Sequence, residues 1–485
     1  MNINKKNKKT LKLGSNIVRV SRLESIKPIN ISTKNFNITH SLYNPPLALL
    51  ASYISIILIG TILLMIPQAA NTEENHGLLT SLFTATSAFT LTGLIVQNTN
   101  QFWSTFGQII IIILIFIGGI GFMTSTIFIL KLFGQKISLP QQILLRESLA
   151  DPRSLGKLQL GNLIPTISII ISYSIIIQIF VGIFLFLAFY SNMNAKEAIW
   201  QAISHSISSF NGAGFLFFNT KGLLGGYEKN ISVLTLMGIN IFFGSLGYLI
   251  FIDLFHSFRW KKLSLNSKLV ISSTIFLNLF GTLILFALES QPNGELENTG
   301  IINGSGQSLF NTVSGRTAGF STIDFNSIRI PTALWCSALM FIGGASASTA
   351  GGIKLNTIMV VYSFVISTLK GSPNTSIFNR KIPDEQVNRC ITILMISILV
   401  IFLFTIIISL NESYEIHKIF FEICSAFGTV GLSSGFTLQS SNFSRIILII
   451  LMIIGRIGPL TMVLVLGNRN KPIMYKNVEE RVTIG

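Results

Sequence analysis

Charge is what this sequence has least of. Charged residues make up 11% of its 485 residues, less than half the roughly 25% usual in soluble globular chains. Hydrophobic residues reach 49% and phenylalanine alone occurs 38 times, with a mean hydropathy of +0.63. A folded surface with so few charges would not stay in solution, and a chain this apolar is not disordered. Cysteine is nearly as scarce. Cys336, Cys390 and Cys424 lie in apolar or linker segments, which excludes a disulfide framework and paired-cysteine metal spacing. No HExxH, GxSxG or Walker motif occurs, and His76, His205, His256 and His417 offer no metal spacing, so an enzyme is excluded. His205 reads as a packing or hydrogen-bonding residue. What is left is an all-α polytopic membrane protein.

A span needs about 20 apolar residues to cross the hydrocarbon core. Long apolar runs lie near 46–68, 104–130, 163–190, 231–255, 267–289, 331–368, 388–410 and 443–466. The sixth has a small, polar middle: Gly343, Gly344, Ala345, Ser346, Ala347, Ser348, Thr349, Ala350, Gly351 and Gly352. Between paired spans lie partly apolar stretches near 78–96, 196–217, 304–322 and 414–434, rich in Ser, Thr and Gly. They are too short and too polar to span, which suits re-entrant segments.

The net charge is +16, and its placement is informative. Of the 35 Lys and Arg, 27 fall in the two tails and the three linkers between hairpins, which this layout puts on one side. The opposite side holds seven, and Arg456 lies inside the last span. Cytoplasmic loops carry the positive excess, so both termini are expected in the cytoplasm and the re-entrant segments open outward. This topology signal accounts for the basic residues without nucleic acid. The basic tail over 1–45 precedes the first span without a signal peptide and reads as a tether to anionic membrane lipids.

The four re-entrant stretches align on one glycine: ATSAFTLTGL at 85–94, SISSFNGAGF at 206–215, NTVSGRTAGF at 311–320 and ICSAFGTVGL at 423–432. Gly93, Gly214, Gly319 and Gly431 are 121, 105 and 112 residues apart, each followed by Leu or Phe. Four positions earlier stands Phe89, Phe210 or Phe427, with Gly315 as the exception. Small-residue clusters start at Gly118, Gly244, Gly343 and Gly455, that is 25, 30, 24 and 24 residues downstream. The chain therefore reads as four tandem helix–pore-loop–helix repeats (46–135, 163–258, 265–370 and 388–466), between a tail over 1–45 and another over 467–485. Parallel repeats of this kind surround an axis along the membrane normal with pseudo-fourfold symmetry and enclose a central pore. Loops lining a narrow pore must turn backbone carbonyls toward an ion, which calls for backbone angles and close approaches that glycine permits. The small-residue stretch 343–352 breaks its span and suits a gate; a tolerated kink is the alternative. Arg456 is a functional candidate by its cost within a span, or a structural pair for a loop carbonyl or for Glu422.

These motifs carry a resemblance. TATSAFTLTGL, FNGAGF, RTAGFSTID, TVGLS, GGASASTAGGIK, GRIGPLT and the terminal EERVTIG resemble those of the Trk/Ktr/HKT potassium transporter superfamily, most closely its KtrB-type bacterial membrane subunits. The resemblance covers roughly 45–485. It implies a potassium-uptake subunit of the bacterial inner membrane, with K+ at a filter of Thr92, Gly93, Ala213, Gly214, Ala318, Gly319, Val430 and Gly431. It implies that segment 343–352 and Arg456 form the gate below that filter. It further implies a homodimer, a cytoplasmic ring of nucleotide-binding RCK-type regulatory subunits, no covalent cofactor, and sodium as a candidate activator. Glycine at all four positions favours potassium over sodium in this family.

Two readings remain beside these. A sodium- or proton-coupled carrier of another type would need an ionisable residue near the midplane, and the spans offer only Asp253, near an inner end, and Glu422, on a re-entrant stretch. Arg316 puts a cation beside the pore entrance, where Asp324 is the nearest neutralising group in sequence; bracing of the loop is the preferred role. Lys354, just after the gate segment, is expected at the cytoplasmic mouth.

Overall fold

In the computed structural model, residues 45–71, 77–120, 163–218, 222–256 and 259–458 are described. The basic N-terminal tail, the linker over 131–162, His76, GRIGPLT beyond Gly458 and the C-terminal tail lie outside them. The apolar runs form helices because Ile, Leu and Phe follow one another with proline only in first turns, as at Pro45, Pro46, Pro165 and Pro331. In chain order the first quarter contains α1 (Pro45–Leu64), α2 (Leu78–Thr90), the single turn α3 (Thr99–Phe102) and α4 (Thr105–Ile120). The second contains α5 (Leu163–Tyr190), α6 (Ala195–Asn211), α7 (Ile231–Leu246) and α8 (Tyr248–His256). The third contains α9 (Leu265–Glu289), α10 (Ile301–Ser314), α11 (Ile330–Phe341) and α12 (Leu355–Leu369). A hairpin follows, β1 (Ser376–Ile377) and β2 (Arg380–Lys381), paired antiparallel with Ile377 opposite Arg380. The last quarter contains α13 (Asp384–Ser409), α14 (Ile416–Gly428), the single turn α15 (Phe436–Gln439) and α16 (Asn442–Ile457).

Three stretches among the described residues are long and apolar enough to cross a membrane: Ser168–Tyr190, Leu265–Glu289 and Asp384–Ser409. The 26 residues of α13 extend about 39 Å at 1.5 Å per residue, more than the roughly 30 Å hydrocarbon core. Exposed apolar side chains run along these helices at helical spacing: Ile176, Ile179, Phe180 and Ile183 on α5; Phe276, Leu279 and Leu283 on α9; Met395, Leu399, Phe402 and Ile406 on α13. Stripes of this length suit lipid, not water. The short helices α2, α6, α10 and α14 occupy the four partly apolar stretches and are buried by the rest. On α14, every residue from Phe421 to Gly428 is buried.

The recurring small-residue clusters have a packing reason. A Cβ on Gly118 would lie 2.1 Å from the carbonyl oxygen of Phe89; on Gly244, 1.9 Å from that of Phe210; on Gly455, 1.9 Å from that of Phe427. In these three quarters the second helix thus rests directly on the backbone of the short helix before it, and only glycine leaves room. With no hydrophobic drive between helices in lipid, this backbone-level packing is what holds them. The phenylalanines themselves are buried, Phe89 edge-on to Tyr53 with ring centroids 5.1 Å apart.

One expectation fails here. The run 231–255 reads as a single span, yet the helix breaks between α7 and α8 at Gly247, whose φ is +86°. A Cβ there would lie 2.7 Å from the Ser346 carbonyl oxygen. The break exists because segment 343–352 of the third quarter packs into it. That segment itself separates α11 from α12.

Gly118→Ala should lower the melting temperature of the detergent-solubilised protein by several degrees, since overpacking costs about 1–3 kcal/mol. Gly306, within α10, has nothing within 4 Å of a built Cβ. Gly306→Ala should leave melting unchanged or raise it slightly, by up to about 1 kcal/mol of helix propensity.

Candidate functional site: a ring of four loops

Each short helix ends just before its loop glycine. Left-handed residues terminate three of them: Leu91 (φ 61°), Gly212 (φ 68°) and Thr429 (φ 49°). The loop glycines are left-handed too, with φ of 85° at Gly93, 68° at Gly214, 73° at Gly319 and 97° at Gly431. The residue before each glycine turns its N–H back into its own helix. Thr92 N donates to Ser87 O at 2.8 Å, Ala213 N to Ser208 O at 2.8 Å, Val430 N to Ser425 O at 2.9 Å, and Ala318 N to Ser314 O at 2.7 Å. The carbonyls of Thr92, Ala213, Ala318 and Val430 accept no hydrogen bond among the described residues.

These four carbonyls close a circuit. A Cβ on Gly93 would lie 2.4 Å from Ala213 O; on Gly214, 2.4 Å from Ala318 O; on Gly319, 2.2 Å from Val430 O; on Gly431, 2.1 Å from Thr92 O. Each loop therefore meets the next backbone to backbone, and the fourth meets the first. The C-terminal ends of four short helices converge on the circuit, each contributing partial negative charge, about half an electron by the dipole estimate. Buried oxygens without a partner among the described residues stand on or beside the same loops: Ser87 Oγ, Asn211 Oδ1, Ser314 Oγ, Thr317 Oγ1 and Thr429 Oγ1. Left dry, such groups carry a desolvation cost; they call for water or a cation.

A second meeting point lies one helical turn away, where Phe89, Phe210 and Phe427 carry the glycine seats. Segment 343–352 fills it. Its neck closes on itself, with Gly343 N donating to Ile353 O at 3.0 Å and Leu355 N to Gly344 O at 2.9 Å. Its body is tied to the second quarter: Ala345 N to Ser245 O at 3.0 Å, Thr349 N to Gly244 O at 3.3 Å, and Tyr248 N to Ala347 O at 3.0 Å. Gly352 N donates to Gly455 O at 3.1 Å in the fourth quarter. Arg456 bridges the group, donating from Nη1 to Thr349 O and from Nη2 to Gly118 O at 2.6 Å. Tyr53 also bonds to its side chain. Lys354 is half-buried and curls back so that Nζ donates to Ala350 O.

Several pairings differ from those the sequence suggests. Glu422 does not meet Arg456. It is fully buried and braces the fourth loop, accepting from Ser433 Oγ at 2.7 Å, Ser434 N at 3.0 Å, Thr437 N at 3.1 Å and Thr437 Oγ1. Asp324 does not neutralise Arg316, because its carboxylate accepts from Asn326 N in a local turn. Arg316 instead donates to Asn278 Oδ1 at 2.9 Å and to Gly343 O at 3.3 Å. His205 is a packing residue, stacked on Phe218 at 4.0 Å, with Nδ1 bonded to Gln201 O at 2.9 Å. Sequence reasoning passes over Tyr248, whose hydroxyl donates to Gly119 O at 2.9 Å; a tyrosine inside an apolar run carries no signal of a partner 129 residues away. Glu422→Gln should lower thermal stability by several degrees, because an amide NH2 cannot accept from the N–H groups of Ser434 and Thr437 that both carboxylate oxygens now receive, and a buried donor left unsatisfied costs about 1–3 kcal/mol.

Known proteins resemble this chain in sequence and in overall fold. A family model described as cation transport protein, TrkH, matches residues 25–469. The Ktr system potassium uptake protein B of Bacillus subtilis is 36% identical over 423 residues, covering 87% of this chain and 92% of that protein. The protein of the same name from Vibrio alginolyticus is 33% identical, covering 91% of this chain and 95% of its own length. The potassium/sodium uptake protein NtpJ of Enterococcus hirae is 32% identical, with 91% and 97% covered. Among solved structures, the potassium transporter TrkH from Vibrio parahaemolyticus superposes with a TM-score of 0.67 at 17% identity, covering 90% of this chain and 86% of that one. These proteins are transporters and not enzymes. The chain belongs to the TrkH family of cation transport proteins.

Proposed function

We propose that the chain is the potassium-translocating membrane subunit of a Ktr-type uptake system. The observation that carries this is the closed circuit of four unbonded carbonyls from Thr92, Ala213, Ala318 and Val430, each packed against the next loop's glycine. In this reading the four quarters are repeats with pseudo-fourfold symmetry about a pore. Dehydrated potassium sits inside the circuit, where carbonyl dipoles replace its water ligands. The converging helix C-termini favour a cation at that point. Inward passage draws on the membrane potential, about 2.3 kcal/mol per charge per 100 mV.

Segment 343–352 with Arg456 closes the path below the filter. Hydrogen bonds from Arg456 to Thr349 O and Gly118 O hold it shut, and they break when it withdraws. Lys354 adds a further positive charge at the closure. The remainder follows the relatives. Their names speak of a Ktr system and of sodium as well as potassium, which supports regulatory partners and a sodium effect. A homodimer, a cytoplasmic nucleotide-binding ring, a bacterial inner-membrane location and cytoplasmic termini complete the proposal, the last supported by the distribution of Lys and Arg.

Uptake in bacterial cells that lack their own potassium systems tests the filter. Wild type should restore growth on low potassium. Gly319→Ser should reduce potassium-over-sodium discrimination by about tenfold, the loss expected when a backbone-lined site is displaced by about one hydrogen bond's worth of energy; unchanged discrimination would sink the filter assignment. A sodium series in the same assay separates activation from co-transport. Arg456→Ala in proteoliposomes should raise passive potassium flux, and a lower flux at equal protein density would contradict the gate.

A further inference from the structure

We infer that Arg316 is a positioning residue that ties the third filter loop to the head of the gate segment, so that ion occupancy above and closure below are set together. This rests on the filter-and-gate reading and goes beyond it. The third quarter departs from the others at one place. In the first, second and fourth, the short helix is pinned by a glycine seated on a phenylalanine carbonyl: Gly118 on Phe89, Gly244 on Phe210, Gly455 on Phe427. The third has Gly315 where the others have phenylalanine, and its aligned glycine, Gly343, finds its nearest neighbours in Gly351 and Ile353 of its own segment.

The guanidinium of Arg316 spans the gap that the missing seat leaves. Nη2 donates to Gly343 O at 3.3 Å, and Nη1 donates to Asn278 Oδ1 on α9 at 2.9 Å. Aligned with Arg316 in the other three loops are Thr90, Asn211 and Gly428, none of them charged. Arg316 is 3% exposed, its Nε has no partner, and no carboxylate pairs with it among the described residues. A buried cation without a counterion is costly, so packing alone gives no reason to keep it.

Its backbone lies inside the turn that aims the filter carbonyl. Ser314 O accepts from Thr317 N, Ala318 N and Gly319 N at 3.0, 2.7 and 3.1 Å. A shift of the guanidinium therefore acts on Ala318 O as well as on Gly343 O. In three quarters the short helix meets the small-residue cluster after it through a steric seat that cannot stretch; in the third, the link from the short helix's loop to its own cluster is a side-chain hydrogen bond that can lengthen and re-form. Hinging belongs where the closure must move.

The test reads both ends at once in the full-length protein, reconstituted in proteoliposomes, with its three native cysteines replaced by alanine and Ser348→Cys introduced. The rate at which a permanently charged methanethiosulfonate reagent modifies the introduced thiol reports closure, and potassium-over-sodium flux reports the filter. In this Ser348→Cys parent, changing potassium for choline should alter the modification rate by at least about threefold. Arg316→Gln should abolish that response and reduce discrimination by about tenfold, while Arg316→Lys should keep part of both. If Arg316→Gln does not insert, Asn278→Asp serves instead. Its carboxylate draws the guanidinium from Gly343, and the potassium response of the introduced thiol must shrink. The inference is overturned if the modification rate ignores potassium in the parent, or if Arg316→Gln alters one readout and leaves the other at the parent value. Gly319→Ser run alongside keeps the two readings apart. Discrimination unchanged by Gly319→Ser removes the filter itself, whereas discrimination that falls there while Arg316→Gln fails removes only the tie.

Discussion

The contact on which everything else depends is backbone against backbone: the glycine of one loop laid on the carbonyl of the next, four times round. No side chain fits at these contacts, since a Cβ at any of the four glycines would stand within 2.4 Å of a carbonyl oxygen. Such closeness requires the N–H groups of the loops to be satisfied elsewhere. Those of Thr92, Ala213, Ala318 and Val430 are, by turning back onto Ser87, Ser208, Ser314 and Ser425. The carbonyl oxygens of these four residues are left unbonded at the circuit, an arrangement suited to a cation. Irregular backbone at this depth is tolerable only where such a cavity exists to be lined.

The same constraint recurs one turn below, with a different outcome. Three of the four second helices press a glycine onto the short helix before them, which fixes the spacing between the ring of loops and its support. The third breaks, and its small residues settle into the notch that Gly247 opens in the second quarter. Four quarters so supply one rigid ring and, beneath it, a layer in which one member is free of the seat that binds the others. The potassium path proposed above needs both: a ring that does not yield, and a closure that does.

Much of this is legible in the sequence, and what is not has a physical cause. The four short helices and their loop glycines can be read because four aligned copies turn weak signals into a strong one. Gly247 cannot: one glycine in an apolar run looks like a tolerated helix residue, and the break comes from a carbonyl far along the chain, that of Ser346. The charge of Arg456 is conspicuous and a loop carbonyl is one of its expected partners; which backbone atoms it reaches, those of Thr349 and Gly118, has no sequence signature. Asp324 is the nearest acid to Arg316 along the chain; in the fold its carboxylate is taken by Asn326 N, and Arg316 reaches Asn278 on another helix. Glu422 suggests a counterion and is instead a brace, because serine and threonine donors crowd around it. Nearness in sequence misleads wherever a buried charge can be satisfied by neutral donors or acceptors.

The most direct test of the account is to locate the ion. Crystals of the full-length protein grown in rubidium, a potassium substitute with a strong anomalous signal, should show a peak on the axis shared by the carbonyls of Thr92, Ala213, Ala318 and Val430. That peak should disappear when sodium replaces rubidium. An axis empty of rubidium, with the ion bound elsewhere among the helices, would contradict the claim that these four loops form the filter.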